Sequence, residues 1–235
     1  MTGPGPVARL PGLSVFLPAY NEEGNLEAVV ADLLKILPEV AAAFEVIVVN
    51  DGSADATGWI AGRLAAAHPA VRVVHHPRNR GYGVALRTGI GACTMAYAFF
   101  TDADRQFDVG ELPLLTRHAG DGQIVIGYRL NRQDPWRRRL TGRAWTLLVR
   151  TLCGLRVRDI NCAFKLFPRK VFDGMRLEST GLAINAEMLT RARRAGYRFV
   201  EVGVHHFPRQ AGQSTFGSLR VILEALRELW PVLRR

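Results

Sequence analysis

Short apolar runs alternate with amphipathic stretches through the first half of the chain. Leu13–Leu17, Phe44–Val49, Val71–His75 and Ala96–Phe100 are apolar runs of strand length, and Ile124–Ile126 continues the series. Between them, Glu23–Leu37 (closed by Pro38), about Asp55–Ala67 and Tyr82 to about Met95 carry the spacing of helices, with Gly81 at the start of the third. Nearly continuous apolar strands separated by helices predict an α/β fold: a mostly parallel sheet covered on both faces.

The second half is less regular. A helix is expected through about Leu152, then a strand, Ala163–Phe167, that stops at Pro168. Helical segments follow near Arg169–Met175 and over Leu182–Arg194, then a strand over Phe199–Val204. The last helix starts at Ser218, an N-cap residue type, and runs to about Trp230, where Pro231 kinks or ends it. Leu219, Ile222, Leu223, Leu226, Leu229 and Trp230 lie on one stripe of it. No repeat, long linker or low-complexity block divides residues 1–235, so they read as one domain. It comprises a flexible Pro- and Gly-rich lead-in over 1–12, a regular half over 13–128, a less regular half over 129–217 and an amphipathic C-terminal helix over 218–235.

Composition adds three constraints. An apolar content of 48% over 235 residues supplies a sizeable core and argues against disorder. The net charge of +10 comes almost wholly from arginine, since Lys35, Lys165 and Lys170 are the only lysines. It favours anionic partners: nucleotide phosphates, a phospholipid surface or nucleic acid. Cys93, Cys153 and Cys162 are odd in number and lack C-x-x-C spacing, which argues for buried free thiols in a reducing, cytoplasmic setting. The lead-in lacks the apolar centre of a secretory leader, and no window holds 18 uncharged apolar residues.

Ligands of such sheets bind beyond the carboxyl ends of the strands. Three acidic loops fall there: Tyr20-Asn21-Glu22, Asn50-Asp51 and Asp102-Ala103-Asp104. In an extended path, residues two apart face one way, so Asp102 and Asp104 aim at one point and Gln106 joins them. Oxygen ligands of this kind suit Mg²⁺ or Mn²⁺, shared with substrate phosphates. A lone D-x-D also reads as a solvated turn with an Asp cap. The first loop carries no G-x-G-x-x-G, and the chain has no G-x-x-x-x-G-K-[ST], so dinucleotide-fingerprint and P-loop sites are excluded. Tyr20 and Glu22 suit a base and ribose, or alternatively core packing and a helix first turn. Asp51 either accepts from a nucleobase or caps the next helix. Small residues in Asn79–Arg87 allow close approach of another element, or of a phosphate.

The segments LPAYNEEGNL, VNDGSADAT, NRGYGVALRTGI, TDADRQFD, IVIGYRL and DINCAFKLF occur in the order and rough spacing of family 2 glycosyltransferases. The chain resembles the dolichyl-phosphate (polyprenyl-phosphate) mannosyltransferase group of that family from about Leu13 to Phe216. The resemblance implies a GT-A fold, Rossmann-like, with residues 13–128 the nucleotide-sugar-binding half and 129–217 the acceptor side. It implies metal-dependent, inverting transfer of a hexose, mannose from GDP-mannose, onto a polyprenyl phosphate. By matching position, Pro18, Tyr20, Glu22, Val49 and Asp51 hold the nucleoside. Asp102, Ala103, Asp104 and Gln106 meet the sugar-nucleotide, and Asp102, Asp104 and Gln106 its Mg²⁺ or Mn²⁺, with Asp104 and Gln106 the more direct ligands. Arg129 contacts phosphate and Arg209 closes over the pyrophosphate; with Asp104 they form the catalytic set.

The chain departs from the group's pattern at Asn50, where aspartate is common, at Thr215, where lysine is common, and at Cys162-Ala163, where Ser-Gly is usual. A lipid phosphate acceptor is already anionic and needs placement rather than deprotonation. A hydroxyl acceptor on a small molecule, glycan or protein needs a base, for which Glu187 is the candidate; Glu187 also reads as an i,i+4 partner of Arg191. The arginines of 129–143, with Trp136 and Trp145, suggest peripheral association with an anionic inner membrane face. A nucleic-acid-binding protein is the alternative that charge alone suggests. It lacks a recognition motif and its cleft would be acidic, so no nucleic acid is expected.

Overall fold

Seven strands, β1 (Leu13–Ala19), β2 (Phe44–Asn50), β3 (Val71–His75), β4 (Tyr97–Thr101), β5 (Gln123–Leu130), β6 (Phe164–Pro168) and β7 (Arg198–His205), form one sheet in the computed structural model. The structure describes residues 9–130, 136–209 and 219–234. The sheet order is β3-β2-β1-β4-β6-β5-β7. β1 is parallel to β2 and β4, β2 to β3, and β5 to β7. β6 alone runs the other way, antiparallel to both β4 and β5. A boundary at residue 128 therefore falls inside β5, and both halves of the chain share one sheet.

Strand periodicity sorts the core into two layers. Leu13, Val15, Leu17, Val46, Val48 and Phe99 face α1 (Leu26–Val40), α2 (Thr57–Ala67) and α4 (Leu112–Thr116). Phe16, Ile47, Val49, Ala98 and Phe100 face α3 (Tyr82–Ala92), α5 (Trp136–Cys153), α6 (Ala183–Arg194) and α7 (Leu219–Arg234). Gly89 explains the small residues of α3: a Cβ there would lie 2.4 Å from Phe16 Cδ2, so only glycine lets the helix sit this close to the sheet. Cys93, Cys153 and Cys162 are buried free thiols.

Several boundaries differ from the expected ones. α1 starts at Leu26 rather than Glu23 and continues through Pro38 to Val40, and α7 continues through Pro231 to Arg234. Each proline lies in the final turn, where its missing N–H removes a single bond and little helix remains to be disturbed. β5 outgrows its apolar centre because Gly127, Tyr128, Arg129 and Leu130 still pair with β7. Arg169–Phe172 forms a 3-10 turn instead of a longer helix. At the last helix, Ala225 and Leu229 are buried, but Trp230 is 56% exposed, with the Arg234 guanidinium 4.8 Å from its ring centre. Ser218, the expected cap, lies outside the described residues, as do Arg132, the side chains of Trp136–Thr141 and the Gly212–Thr215 stretch. Trp145, expected at a membrane interface, is instead 3% exposed, within the layer between sheet and helices.

Candidate active site

Because β1, β2 and β4 run parallel, their carboxyl ends bring three loops to one rim. The loops after β1 and β2 are laced together. Asn21 adopts a left-handed φ of 56°, which its short amide side chain tolerates. Its N–H donates to Ser53 Oγ at 3.0 Å, and its Oδ1 accepts from the Ala54 N–H at 2.9 Å. The Glu22 N–H donates to Thr57 Oγ1 at 2.8 Å, and Glu23 accepts from the Ala56 N–H at 2.9 Å. The last of these bonds engages Glu23, the residue at which the helical spacing began α1, and the helix starts only at Leu26.

Of the nucleoside-side residues, Tyr20 stands at the rim, 41% exposed, able to present a flat ring. Pro18 is half-buried in β1, and Val49 packs in the core on the α3 side. Asp51 is buried and its carboxylate is held from within. It accepts from the Arg80 and Gly81 N–H groups, each at 3.0 Å, and lies 2.6 Å from His76 Nδ1. It thereby anchors the start of α3 to the end of β2. Asn50 accepts from the Ser53 N–H at 3.1 Å and meets His75 Nδ1 at 3.0 Å.

After β4, Asp102 accepts a hydrogen bond from the Tyr82 hydroxyl at 3.2 Å. Ala103 is buried, and Asp104 Oδ1 accepts from the Gln106 N–H at 3.1 Å in a turn where Arg105 has a φ of 58°. Burial, then the neighbouring charge of Asp104, pushes the Asp102 carboxyl up to about 7. Glu22 is also raised, chiefly by burial, against lowering from its Asn25 hydrogen bond and from Arg209. The left-handed residue breaks the extended path, and the Gln106 amide donates to the Phe207 carbonyl at 3.1 Å. The Phe207 N–H returns a bond to the Gln106 carbonyl at 2.8 Å. Gln106 therefore docks the segment after β7 against this loop, while the two aspartates stay together.

Arg209, on that docked segment, contacts Glu22 Oε1 and places Nη2 3.7 Å from Asp104 Oδ2. Arg129 sits near the end of β5 with its guanidinium held by Asp159 through two bonds of 2.6 and 2.8 Å. Glu187 is fully buried; it accepts from the Glu178 N–H at 3.1 Å, the Ser179 N–H at 2.8 Å and Arg191 Nε at 2.9 Å. The loop it holds reaches α3, where the Gly83 N–H donates to the Thr180 carbonyl at 2.8 Å. Lys165, not singled out by sequence reasoning, is fully buried in β6, opposite Phe100 of β4. The signal available for it was a lone lysine inside the apolar run Ala163–Phe167.

The donor chemistry suits a hard divalent cation: adjacent carboxylates whose mutual repulsion is evident in Asp102. Among the described residues no three His, Cys, Asp or Glu side chains group to hold a metal, so an ion here would draw its other ligands from elsewhere. A parallel sheet with one reversed strand, and carboxylate-bearing loops on the rim of β1, β2 and β4, defines a glycosyltransferase fold of the GT-A class.

Glycosyl transferase family 2 matches residues 14–176, and the chain belongs to this family. It is 34% identical to glycosyltransferase AglD of Haloferax volcanii, over 95% of this chain and 38% of AglD. It is 31% identical to the undecaprenyl-phosphate 4-deoxy-4-formamido-L-arabinose transferase of Enterobacter sp. strain 638, over 89% of this chain and 64% of that protein. The chain thus spans less than two thirds of the length of these relatives. Among solved structures, glucosyl-3-phosphoglycerate synthase from Mycobacterium tuberculosis with UDP superimposes with a TM-score of 0.69 at 20% identity, over 95% of this chain and 80% of that one. A mannosyltransferase from Pyrobaculum calidifontis with GDP-Man and Mn²⁺ gives 0.65 at 18% identity, over 99% and 70%. These likenesses establish the shared fold.

Proposed function

We propose that the chain transfers a hexose, mannose from GDP-mannose, onto a polyprenyl phosphate with inversion, in a divalent-metal-dependent reaction. The observation that carries this reading is the meeting of Glu22, Asp104 and Arg209 beside Asp102, at the rim where three parallel strands end. The acceptor class is supported by the undecaprenyl-phosphate relative, and the donor and metal by the solved mannosyltransferase that carries GDP-Man and Mn²⁺.

Asp102 and Asp104 would hold the cation, and when bound it neutralises charge growing on the departing diphosphate. This chain's own residues do the rest. Tyr20 offers a surface for the base. Arg209 stands over the acidic pair, where a guanidinium stabilises phosphate oxygens as they gain charge. An anionic acceptor needs alignment rather than proton removal, so Glu187, buried and engaged on all sides, is given no base role here.

Peripheral membrane association belongs to the same reading. On α5, Leu147, Leu148 and Leu152 stand exposed beside exposed Arg143 and Arg150, a combination suited to an anionic interface. No helix among the described residues is long and apolar enough to cross a membrane.

The decisive test is Mn²⁺-dependent thermal shift with a panel of nucleotide-sugars, followed by turnover with polyprenyl phosphate. GDP-mannose should stabilise the protein in Mn²⁺ and be consumed only when the lipid phosphate is present. Asp104→Ala should abolish the Mn²⁺-dependent shift and lower turnover by roughly 10²–10³-fold. Turnover without metal, or transfer to hydroxyl acceptors alone, would overturn the reading. Flotation with anionic vesicles tests the membrane part, which fails if the protein stays with the soluble fraction.

A further inference from the structure

The small residues at the head of α3 admit another part of the chain. Gly81 has a φ of 97°, and a Cβ there would lie 2.7 Å from the Thr180 carbonyl oxygen. A Cβ on Gly83 would lie 2.5 Å from the carbonyl oxygen of Ser179. The backbone of residues 178–181 thus runs against the start of the helix at a distance that only glycine permits. The Gly83 N–H donates to the Thr180 carbonyl at 2.8 Å, and Arg87 Nη1 donates to the Leu177 carbonyl at 2.8 Å. Between the two glycines stands Tyr82, whose hydroxyl donates to Asp102 Oδ1 at 3.2 Å. The place of this loop therefore governs the place of the phenol.

Two glutamates hold the loop in turn. Its four successive N–H groups, from Glu178 to Gly181, all end on carboxylates. Glu187 of α6 takes the first two. Glu228 of α7 takes the others: Oε1 accepts from the Thr180 N–H at 3.0 Å and from the Thr180 hydroxyl at 2.5 Å, and Oε2 accepts from the Gly181 N–H at 3.1 Å. Glu228 is half-buried and precedes Leu229, which is fully buried where α7 packs against the other helices. Hydrogen bonds to a carboxylate are among the stronger ones, and three of them converge here on one side chain. Each step from Glu228 to Asp102 is a hydrogen bond or a peptide link: Glu228 to Thr180, the Thr180 carbonyl to Gly83, Gly83 to its neighbour Tyr82, and the phenol to Asp102.

We propose that Glu228 is a positioning residue: by clamping the Thr180-Gly181 backbone against α3, it holds the Tyr82 phenol on Asp102 and so tunes the affinity of the rim for a divalent cation. The proposal rests on the metal-dependent reading above. The phenol restrains the Asp102 carboxylate through Oδ1 and leaves Oδ2 to the ion. Groups that orient a metal ligand directly, as Tyr82 does, are typically worth about 10–100-fold in metal affinity. Residues further along such a network shift coupling by roughly 2- to 30-fold.

The test is Mn²⁺ binding, followed by the electron paramagnetic resonance of free Mn²⁺, with GDP and in parallel UDP. Glu228→Ala, Tyr82→Phe and the double variant are compared with wild type. Tyr82→Phe should weaken Mn²⁺ by about tenfold or more. Glu228→Ala should weaken it by roughly 2- to 30-fold, while nucleotide affinity without metal stays unchanged. In the Tyr82→Phe background, Glu228→Ala should add little to the loss of Mn²⁺ affinity, because the hydroxyl through which it acts is gone. A merely structural Glu228 would lower Tm in both backgrounds and leave Mn²⁺ affinity alone, and that result would overturn the proposal. So would an equal loss of Mn²⁺ affinity in both backgrounds, which would show another route. Should Glu228→Ala fail to fold, Glu228→Gln, which keeps one acceptor oxygen, takes its place. Wild-type Mn²⁺ affinity in a folded variant of either residue would overturn the clamp and leave the proposed function standing. Absence of Mn²⁺ binding in wild type would overturn the metal-dependent reading and the clamp together.

Discussion

Arg209 contacts Glu22 across 187 residues of sequence, fastening the segment after β7 to the loop after β1. Asp104 Oδ2 lies 3.7 Å from the same guanidinium nitrogen, so one cation sits between two carboxylates from different loops. A diphosphate arriving here would compete for that guanidinium.

Arg209→Ala should therefore weaken nucleoside-diphosphate binding. A charged hydrogen bond contributes about 1.5–3 kcal/mol, which corresponds to roughly ten- to hundredfold in Kd. Calorimetric titration with GDP and Mn²⁺ measures it, and an unchanged Kd would remove Arg209 from the donor site.

The raised carboxyl of Asp102 predicts a pH dependence with a definite sign. Between 3.8 and about 7, the folded protein holds a proton there that the unfolded chain has released. Stability from this group is thus present at low pH and is lost as pH rises through about 7. Asp102→Asn, which cannot ionise, should melt above the metal-free wild type at pH 8. A gain of order 1 kcal/mol would raise Tm by about 2–4 °C for a chain of this size. At pH 5 the gap should be smaller, and it should vanish only below about 3.8, where the carboxyl is protonated in the folded and the unfolded chain alike. Equal melting temperatures at both pH values would contradict the assignment.

Glu187→Gln should lower stability more than chemistry. Its carboxylate receives two backbone N–H groups and Arg191, all buried or partly buried. Weakening such charged bonds costs roughly 1.5–3 kcal/mol, so melting should fall by several degrees. Turnover measured well below the transition should stay within a few-fold of wild type. A hundredfold loss of turnover at unchanged Tm would instead make Glu187 a base and favour a hydroxyl acceptor.

Arg129 and Asp159 should behave as a structural couple. Their side chains are 15% and 10% exposed. Arg129→Ala strips Asp159 of its guanidinium and should cost about 3 kcal/mol in chemical denaturation, near the lower end for breaking a buried pair. Arg129→Ala with Asp159→Asn should recover part of that loss. Additive losses would show that the two residues act independently.

The strand and helix pattern carried most of the architecture, because β1, β2 and β4 are buried on both faces and leave nearly continuous apolar runs, and the edge strand β3 still shows Val71, Val73 and Val74. β6 was visible as a strand, but a short run buried on both faces carries no mark of direction, so its reversal was not. Polar positions were harder to read. Asp102 and Asp104 could be found from their spacing at a strand end. The bend at Arg105, which turns Gln106 toward Phe207, depends on a segment about a hundred residues away. Asp51 was singled out for its position, yet its partners, Arg80, Gly81 and His76, belong to another crossover. Lys165 escaped notice because composition assigns lysine to solvent, and only tertiary structure shows that it is enclosed.

The reversed strand also bears on how the chain reaches its native state. During synthesis β1 to β4 can assemble as they emerge, but β5 finds its strand neighbours only in β6 and β7, made later. Until residues 164–205 leave the ribosome, the outer border of β4 stays open and β5 has nowhere to dock. A nascent chain stalled in that interval would present an unsatisfied sheet margin to other chains, and aggregation in the cell should depend on how quickly translation crosses it.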